Sequence, residues 1–141
     1  MARPKAGLVA GAMLLSGLGL GVATASPAAA YDGYCNNYVS KTKSFNGKTY
    51  TAYIPSYNRS SNCYMDRGAN STAVGMLQRS LNVCYGRSLS IDGIFGPATE
   101  AALKYAQDKE NIGVDGEYGT QSRDNLKWEF SLIGSYRCVE L

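Results

Sequence analysis

The segment Ser40-Lys41-Thr42-Lys43-Ser44-Phe45-Asn46 holds a Ser-x-x-Lys spacing and a Ser-x-Asn spacing, the pair that activates a serine nucleophile in penicillin-interacting enzymes. That chemistry needs the two motifs to converge from separate elements. Here they sit side by side on one short segment, so the spacing is coincidental. The chain has no histidine, which removes Ser-His-Asp and Cys-His nucleophiles and the histidine-based zinc hydrolases. A glycosidase needs only two carboxylates, and eleven acidic residues supply many pairs. The proton-donating acid of such a pair is held in a deep apolar cleft that raises its pKa, and nothing in the sequence builds one. Glu100, Glu110, Glu117 and Glu129 read instead as solvated helix faces and ends. No catalytic residue and no cofactor is assigned, and the chain is expected not to be an enzyme.

A different pattern repeats. IDGIFGPATEAALKYAQ at 91–107 and VDGEYGTQSRDNLKWEF at 114–130 share Asp92/Asp115, Gly93/Gly116, Gly96/Gly119, Leu103/Leu126 and Lys104/Lys127 at an offset of 23. Paired Asp-Gly segments could form calcium loops, but such loops place oxygen ligands at alternating positions before the glycine. Leu89, Ser90, Ile91 and Ile112, Gly113, Val114 stand there instead, so no metal is expected. The aspartates are read as Asx turns that bond nearby backbone N–H groups, with Gly93 and Gly116 taking a positive φ. Phe95 and Tyr118 then enter the core, and Gly96 and Gly119 let the chain turn tightly into a helix.

Four cysteines, Cys35, Cys63, Cys84 and Cys138, are read as two disulfides, because no close cysteine pair suggests zinc. Of the three pairings, Cys35–Cys63 with Cys84–Cys138 is favoured. The first brackets a local hairpin and the second ties a helix end to the C-terminus. Arg3 and Lys5 precede an uncharged Ala/Gly/Leu/Val run, and Ala28-Ala29-Ala30 follows. Residues 1–30 are therefore read as an export signal cleaved after Ala30 or, alternatively, after Ala25. Beyond it, twelve basic residues face eleven acidic ones. That balance offers no footprint for nucleic acid or an anionic membrane.

These residues must be positioned by two zones, 31–66 and 67–141. The first carries seven of the eleven tyrosines and the turn Asn46-Gly47, which suits a type I′ hairpin. With Phe45 facing Lys48, Val39 pairs with Ile54 and Lys43 with Tyr50. Pro55 is expected to end the second strand or make it an edge, and 56–62 to be a polar loop. The second zone reads as helical. A helix begins at Ser71 or Thr72, buries Val74, Leu77, Leu81 and Cys84, and stops at Gly86. A second begins at Pro97 and ends by Gly113. A third, capped by Thr120, is expected to carry Leu126 and Phe130 inward at i, i+4.

The stretches AVGMLQRSLN, IDGIFGPATEAAL and VDGEYGTQSRDNL resemble the helical peptidoglycan-binding domain family. The match runs through Leu77, Gln78, Leu81, Asp92, Gly93, Phe95, Gly96, Pro97, Thr99, Leu103, Asp115, Gly116, Tyr118, Gly119 and Leu126, over about residues 70–130. Ala106 and Gln121 depart from its pattern. The resemblance implies a mainly α fold: a three-helix bundle of duplicated Asp-Gly turn–helix units, here preceded by a Tyr-rich β-hairpin extension. It further implies an attachment module of the kind usually joined to a wall hydrolase, and with the export signal and no catalytic residue assigned the chain is expected to be a secreted, non-catalytic, monomeric module whose partner is cell-wall peptidoglycan. Tyr85, Arg87, Tyr118 and Arg123 fall near the loops and helix starts that would border its groove, where tyrosines stack on sugar faces and arginines meet stem-peptide carboxylates. Tyr118 as core and both arginines as solvated surface is the competing reading. An inhibitor or carrier of another secreted enzyme is the alternative function, and a cryptic wall hydrolase a third.

Overall fold

The computed structural model describes residues 30–141, so the export-signal expectation for residues 1–30 lies almost wholly outside the described residues. In chain order the elements are β1 (Gly33–Tyr34), β2 (Asn37–Phe45), β3 (Lys48–Ser56), β4 (Cys63–Tyr64), α1 (Thr72–Tyr85), α2 (Pro97–Lys109), α3 (Thr120–Asn125), β5 (Trp128–Leu132) and β6 (Ser135–Val139). Strands β2, β3, β5 and β6 form one antiparallel sheet in that order, while β1 and β4 pair in parallel. Residues 31–141 make one compact unit. Among the described residues, no helix is long and apolar enough to cross a membrane.

The hairpin forms as its turn dictates. Asn46 and Gly47 adopt φ 51° and 75°, both positive as a type I′ turn requires, and this sets Phe45 opposite Lys48, Lys43 opposite Tyr50 and Val39 opposite Ile54. Side chains then alternate, and Tyr50, Ala52 and Ile54 face the core. Pro55 neither ends β3 nor places it at an edge. The strand runs to Ser56 inside the sheet, because the β5 edge joins at Thr51–Ser131 and never reaches the missing proline N–H.

The mainly α three-helix bundle is overturned: 30% of the structure is helical against 34% strand. The correction concerns mostly the third helix. It ends at Asn125, Leu126 turns extended (φ −76°, ψ 154°), and Phe130 lies in β5 rather than on a helix. Leu126 and Phe130 are both buried, at 2% and 0% exposure, so their spacing suited a helix face. Trp128 and Phe130, however, also lie two apart, and Ile133-Gly134 closes a two-residue turn with Gly134 at φ 78°. Backbone pairing with the free side of β3 decides for the strand. Helix α1 then packs on β3 and β5, and its Val74, Leu77 and Leu81 meet Ile54, Trp128 and Phe130 in a single core.

Both cysteine pairs close as favoured: Cys35–Cys63 clips the β1–β4 pair, and Cys84–Cys138 ties the last turn of α1 to β6. Gly86 in the left-handed conformation (φ 64°) stops α1.

Candidate functional site

Two Asp-Gly turns are held against segment 65–71, which itself turns at Arg67-Gly68. Tyr118 and Met65 exchange both backbone hydrogen bonds (2.8 and 3.0 Å), and the Phe95 N–H donates to the Ala69 carbonyl (2.8 Å). Each turn is locked from inside by one buried glutamine. Gln78 Nε2 donates to Asp92 Oδ1, the Ile94 carbonyl and Thr99 Oγ1 at 3.0–3.1 Å, while its Oε1 accepts the Gly93 N–H at 3.0 Å. Gln107 Nε2 donates to Asp115 Oδ1, the Glu117 carbonyl and Ser122 Oγ, and its Oε1 accepts the N–H groups of Asp115 and Gly116. Because only an amide NH₂ can donate to a carbonyl oxygen, the orientation of both side chains is fixed.

The aspartates close Asx turns: Asp92 Oδ1 accepts from the Ile94 N–H and Asp115 Oδ1 from the Glu117 N–H, each at 2.9 Å. The Ile94 N–H, with help from Gln78, holds the Asp92 carboxyl below its ordinary pKa. Gly93 and Gly116 adopt φ 76° and 72°. At Gly93 a Cβ would also lie 2.8 Å from the Ser71 carbonyl oxygen, a backbone atom, whereas at Gly134 a Cβ would meet nothing. Gly93→Ala is therefore expected to cost about 2–3 kcal/mol, against about 1 kcal/mol for Gly134→Ala, which pays only for the backbone conformation. Parallel urea titrations of the two variants check the difference.

The four residues expected to bind ligand do not share a groove. Tyr118 is fully buried, edge-on to Trp128 at 6.1 Å, and desolvation pushes its hydroxyl pKa up. It is a core residue. Its hydroxyl has no hydrogen-bond partner among the described residues, so Tyr118→Phe is expected to leave the thermal midpoint within about 3 °C or raise it, and to leave ligand binding intact. Calorimetry and a binding assay check both. Arg123 is a brace: Nε and Nη2 bind Asp124 at 2.7 and 3.0 Å, Nη1 bonds Ser61, and its carbonyl accepts the Trp128 indole N–H. The Tyr85 hydroxyl donates to Glu110 Oε2 (2.6 Å) and accepts the Lys127 N–H (2.8 Å), and Lys127 Nζ pairs with Glu110 at 3.2 Å. Burial first, then Glu110, raises the Tyr85 pKa. Tyr85 latches the chain leading into β5 to the end of α2.

Arg87 borders a depression, of about 480 Å³, lined by Gly86, Ser88, Leu89 and the alanines Ala98, Ala101 and Ala102 of α2. Its Nε donates to the Tyr85 carbonyl, and its guanidinium lies 3.9 Å from the centroid of Tyr105. Tyr105, which the repeat offset of 23 aligns with Trp128, is 37% exposed whereas Trp128 is buried, so the alignment of the repeats missed it. The tyrosines of 31–66 also divide. Tyr50 and Tyr64 are core, and Tyr34, Tyr38 and Tyr53 stand at the surface. Gln107 was missed as well, because it precedes Asp115 by eight residues while Gln78 precedes Asp92 by fourteen, so the pair breaks the repeat offset.

The peptidoglycan binding domain family model matches residues 70–126, the stretch that contains both locked turns. A solved fused Zn-dependent amidase/peptidase/peptidoglycan-binding domain-containing protein from Clostridium acetobutylicum ATCC 824 is 36% identical over 42% of this chain, with a TM-score of 0.40. This chain spans only 26% of that protein. The SleB N-terminal domain is 34% identical over 44% of this chain and 85% of its own length, with a TM-score of 0.42. No curated protein matches. With its Leu77-Gln78 pair and both Asp-Gly turns in place, the chain belongs, through residues 70–126, to the peptidoglycan-binding domain family.

Proposed function

We propose that the chain is an exported, non-catalytic module that docks on bacterial cell-wall peptidoglycan. The observation that carries this reading is the family match over the two glutamine-locked turns. Two disulfides suit an oxidising, extracellular setting, and the near balance of charge leaves recognition to shape and local hydrogen bonding. Arg87, steadied by Tyr105 and the Tyr85 carbonyl beside an alanine-floored depression, is the residue suited to a stem-peptide carboxylate. Tyr85 supports the scaffold beside it, while Arg123 braces α3 against Ser61 and Trp128.

The test is sedimentation of oxidised residues 31–141 with purified sacculi, beside cellulose and chitin, with released amines and reducing sugars measured in the supernatant. Retention without release is expected, and it should be stronger on sacculi than on cellulose or chitin. Arg87→Ala is expected to weaken retention about tenfold, the loss of one charge-assisted contact of 1.4 kcal/mol, with an unchanged unfolding midpoint. Failure to sediment would sink the wall-binding reading, and release of sugar or amines would sink the non-catalytic one.

A further inference from the structure

A second cleft opens where β2, β3 and β5 meet α1, away from Arg87 and the Asp-Gly turns. It holds about 360 Å³ between Tyr38, Tyr53, Met76, Arg79 and Glu129, and a more open continuation passes Leu132, Ile133 and Tyr136. Tyr38 and Tyr53 are 44% and 46% exposed, with ring centroids 5.3 Å apart in an edge-to-face arrangement. Both stand on paired strands of a disulfide-clipped unit, so holding them in place costs little entropy on binding. Beside them Arg79 and Glu129 form a fork, Nε to Oε1 at 2.5 Å and Nη2 to Oε2 at 3.3 Å. Glu129 is 9% exposed and Arg79 55%.

We infer that this cleft binds an uncharged pyranose chain, a segment of polysaccharide. A sugar ring has an apolar C–H face that suits an exposed tyrosine ring. It also carries neighbouring hydroxyls, each of which donates and accepts. The Arg79–Glu129 fork offers guanidinium donors and carboxylate acceptors side by side, and its two charges cancel. An anionic or cationic ligand would find its partner charge already neutralised, whereas a hydroxyl pair gains from both members. A few fixed polar groups beside aromatic walls are also the usual make-up of a ligand cleft. The site lies largely outside residues 70–126 and does not depend on the wall-binding reading.

The probes are the β-1,4-linked hexamers of N-acetylglucosamine and of glucose, titrated by calorimetry into oxidised residues 31–141. Saturable binding of at least one hexamer is expected. Tyr53→Ala and Arg79→Ala should each weaken it by about tenfold or more, while Tyr53→Phe and Arg87→Ala retain it. Tyr53 lies on the sheet surface, so its variant stays folded and decides the matter even if Arg79→Ala loosens the α1–β5 contact. Absence of binding by either hexamer, or binding unchanged by Tyr53→Ala, would overturn the proposal. Because the hexamers carry no stem peptide, hexamer binding that survives Arg87→Ala and wall retention that weakens in it separate the two sites.

Discussion

Removal of the Cys84–Cys138 bridge, by substituting both cysteines with alanine, is expected to lower stability by about 4 kcal/mol. The bridge spans 54 residues, and the loop entropy it withholds from the unfolded chain scales with the logarithm of that length. For a unit of this size the loss corresponds to a thermal midpoint lower by about 16 °C. Location adds a local effect, because Cys138 pairs with Glu129 across β5 and β6. The sheet edge should therefore loosen first, with amides of β6 losing hydrogen-exchange protection before those of α1. Urea titration and exchange of the paired variant against the wild type check both expectations. A midpoint within about 3 °C of wild type would contradict the loop argument.

Gln107→Leu is expected to cost about 3–4 kcal/mol, close to the disulfide in size but different in origin. The side chain is 1% exposed and serves five partners. Leucine would leave the Gly116 N–H and the Ser122 hydroxyl buried without their glutamine contacts, at about 1–3 kcal/mol for each group that stays unsatisfied. Asp115 stands at the surface and recovers solvation, which keeps the total below the sum over all five. The thermal midpoint should fall by about 12–16 °C. Gln78→Leu should behave similarly, because its amide shares two hydrogens among three acceptors in the same way. If either leucine variant kept the wild-type midpoint, the turns would be holding themselves by their Asx bonds alone.

The two predictions also bear on function. Arg87 and Tyr105 are positioned by the end of α1 and by α2, and α2 is locked to the turns at both ends, by Thr99 through Gln78 and by Gln107 through Asp115. Loosening a turn therefore disturbs the α2 face that floors the depression beside Arg87 without touching Arg87 itself. The Tyr38–Tyr53 cleft depends instead on the sheet, which the Cys84–Cys138 bridge holds at its far edge. The same two lesions thus act on different surfaces.

Sequence alone determined the features whose causes are local. Asn46-Gly47 sets a two-residue turn, and a side-chain period of two then fixes every pair from Phe45–Lys48 to Val39–Ile54. Pro97 sets a helix start because its ring fixes φ and the first helical turn needs no N–H from it, and Gly86 sets a helix stop because glycine enters the left-handed conformation that other residues resist. The cysteine pairing followed from what each pair would bracket. Only the tertiary structure decided the rest. Leu126 and Phe130 satisfy a helix face and a strand face equally well, and the free side of β3, some eighty residues earlier, settled the matter through backbone pairing. Tyr118 became core and Tyr105 surface although Tyr105 aligns with the buried Trp128, because burial depends on which neighbours arrive. Gln107 and the Arg79–Glu129 fork were invisible for the same reason. Their partners come together through the chain's return, and a hydrogen bond between distant residues leaves no spacing in the sequence to read.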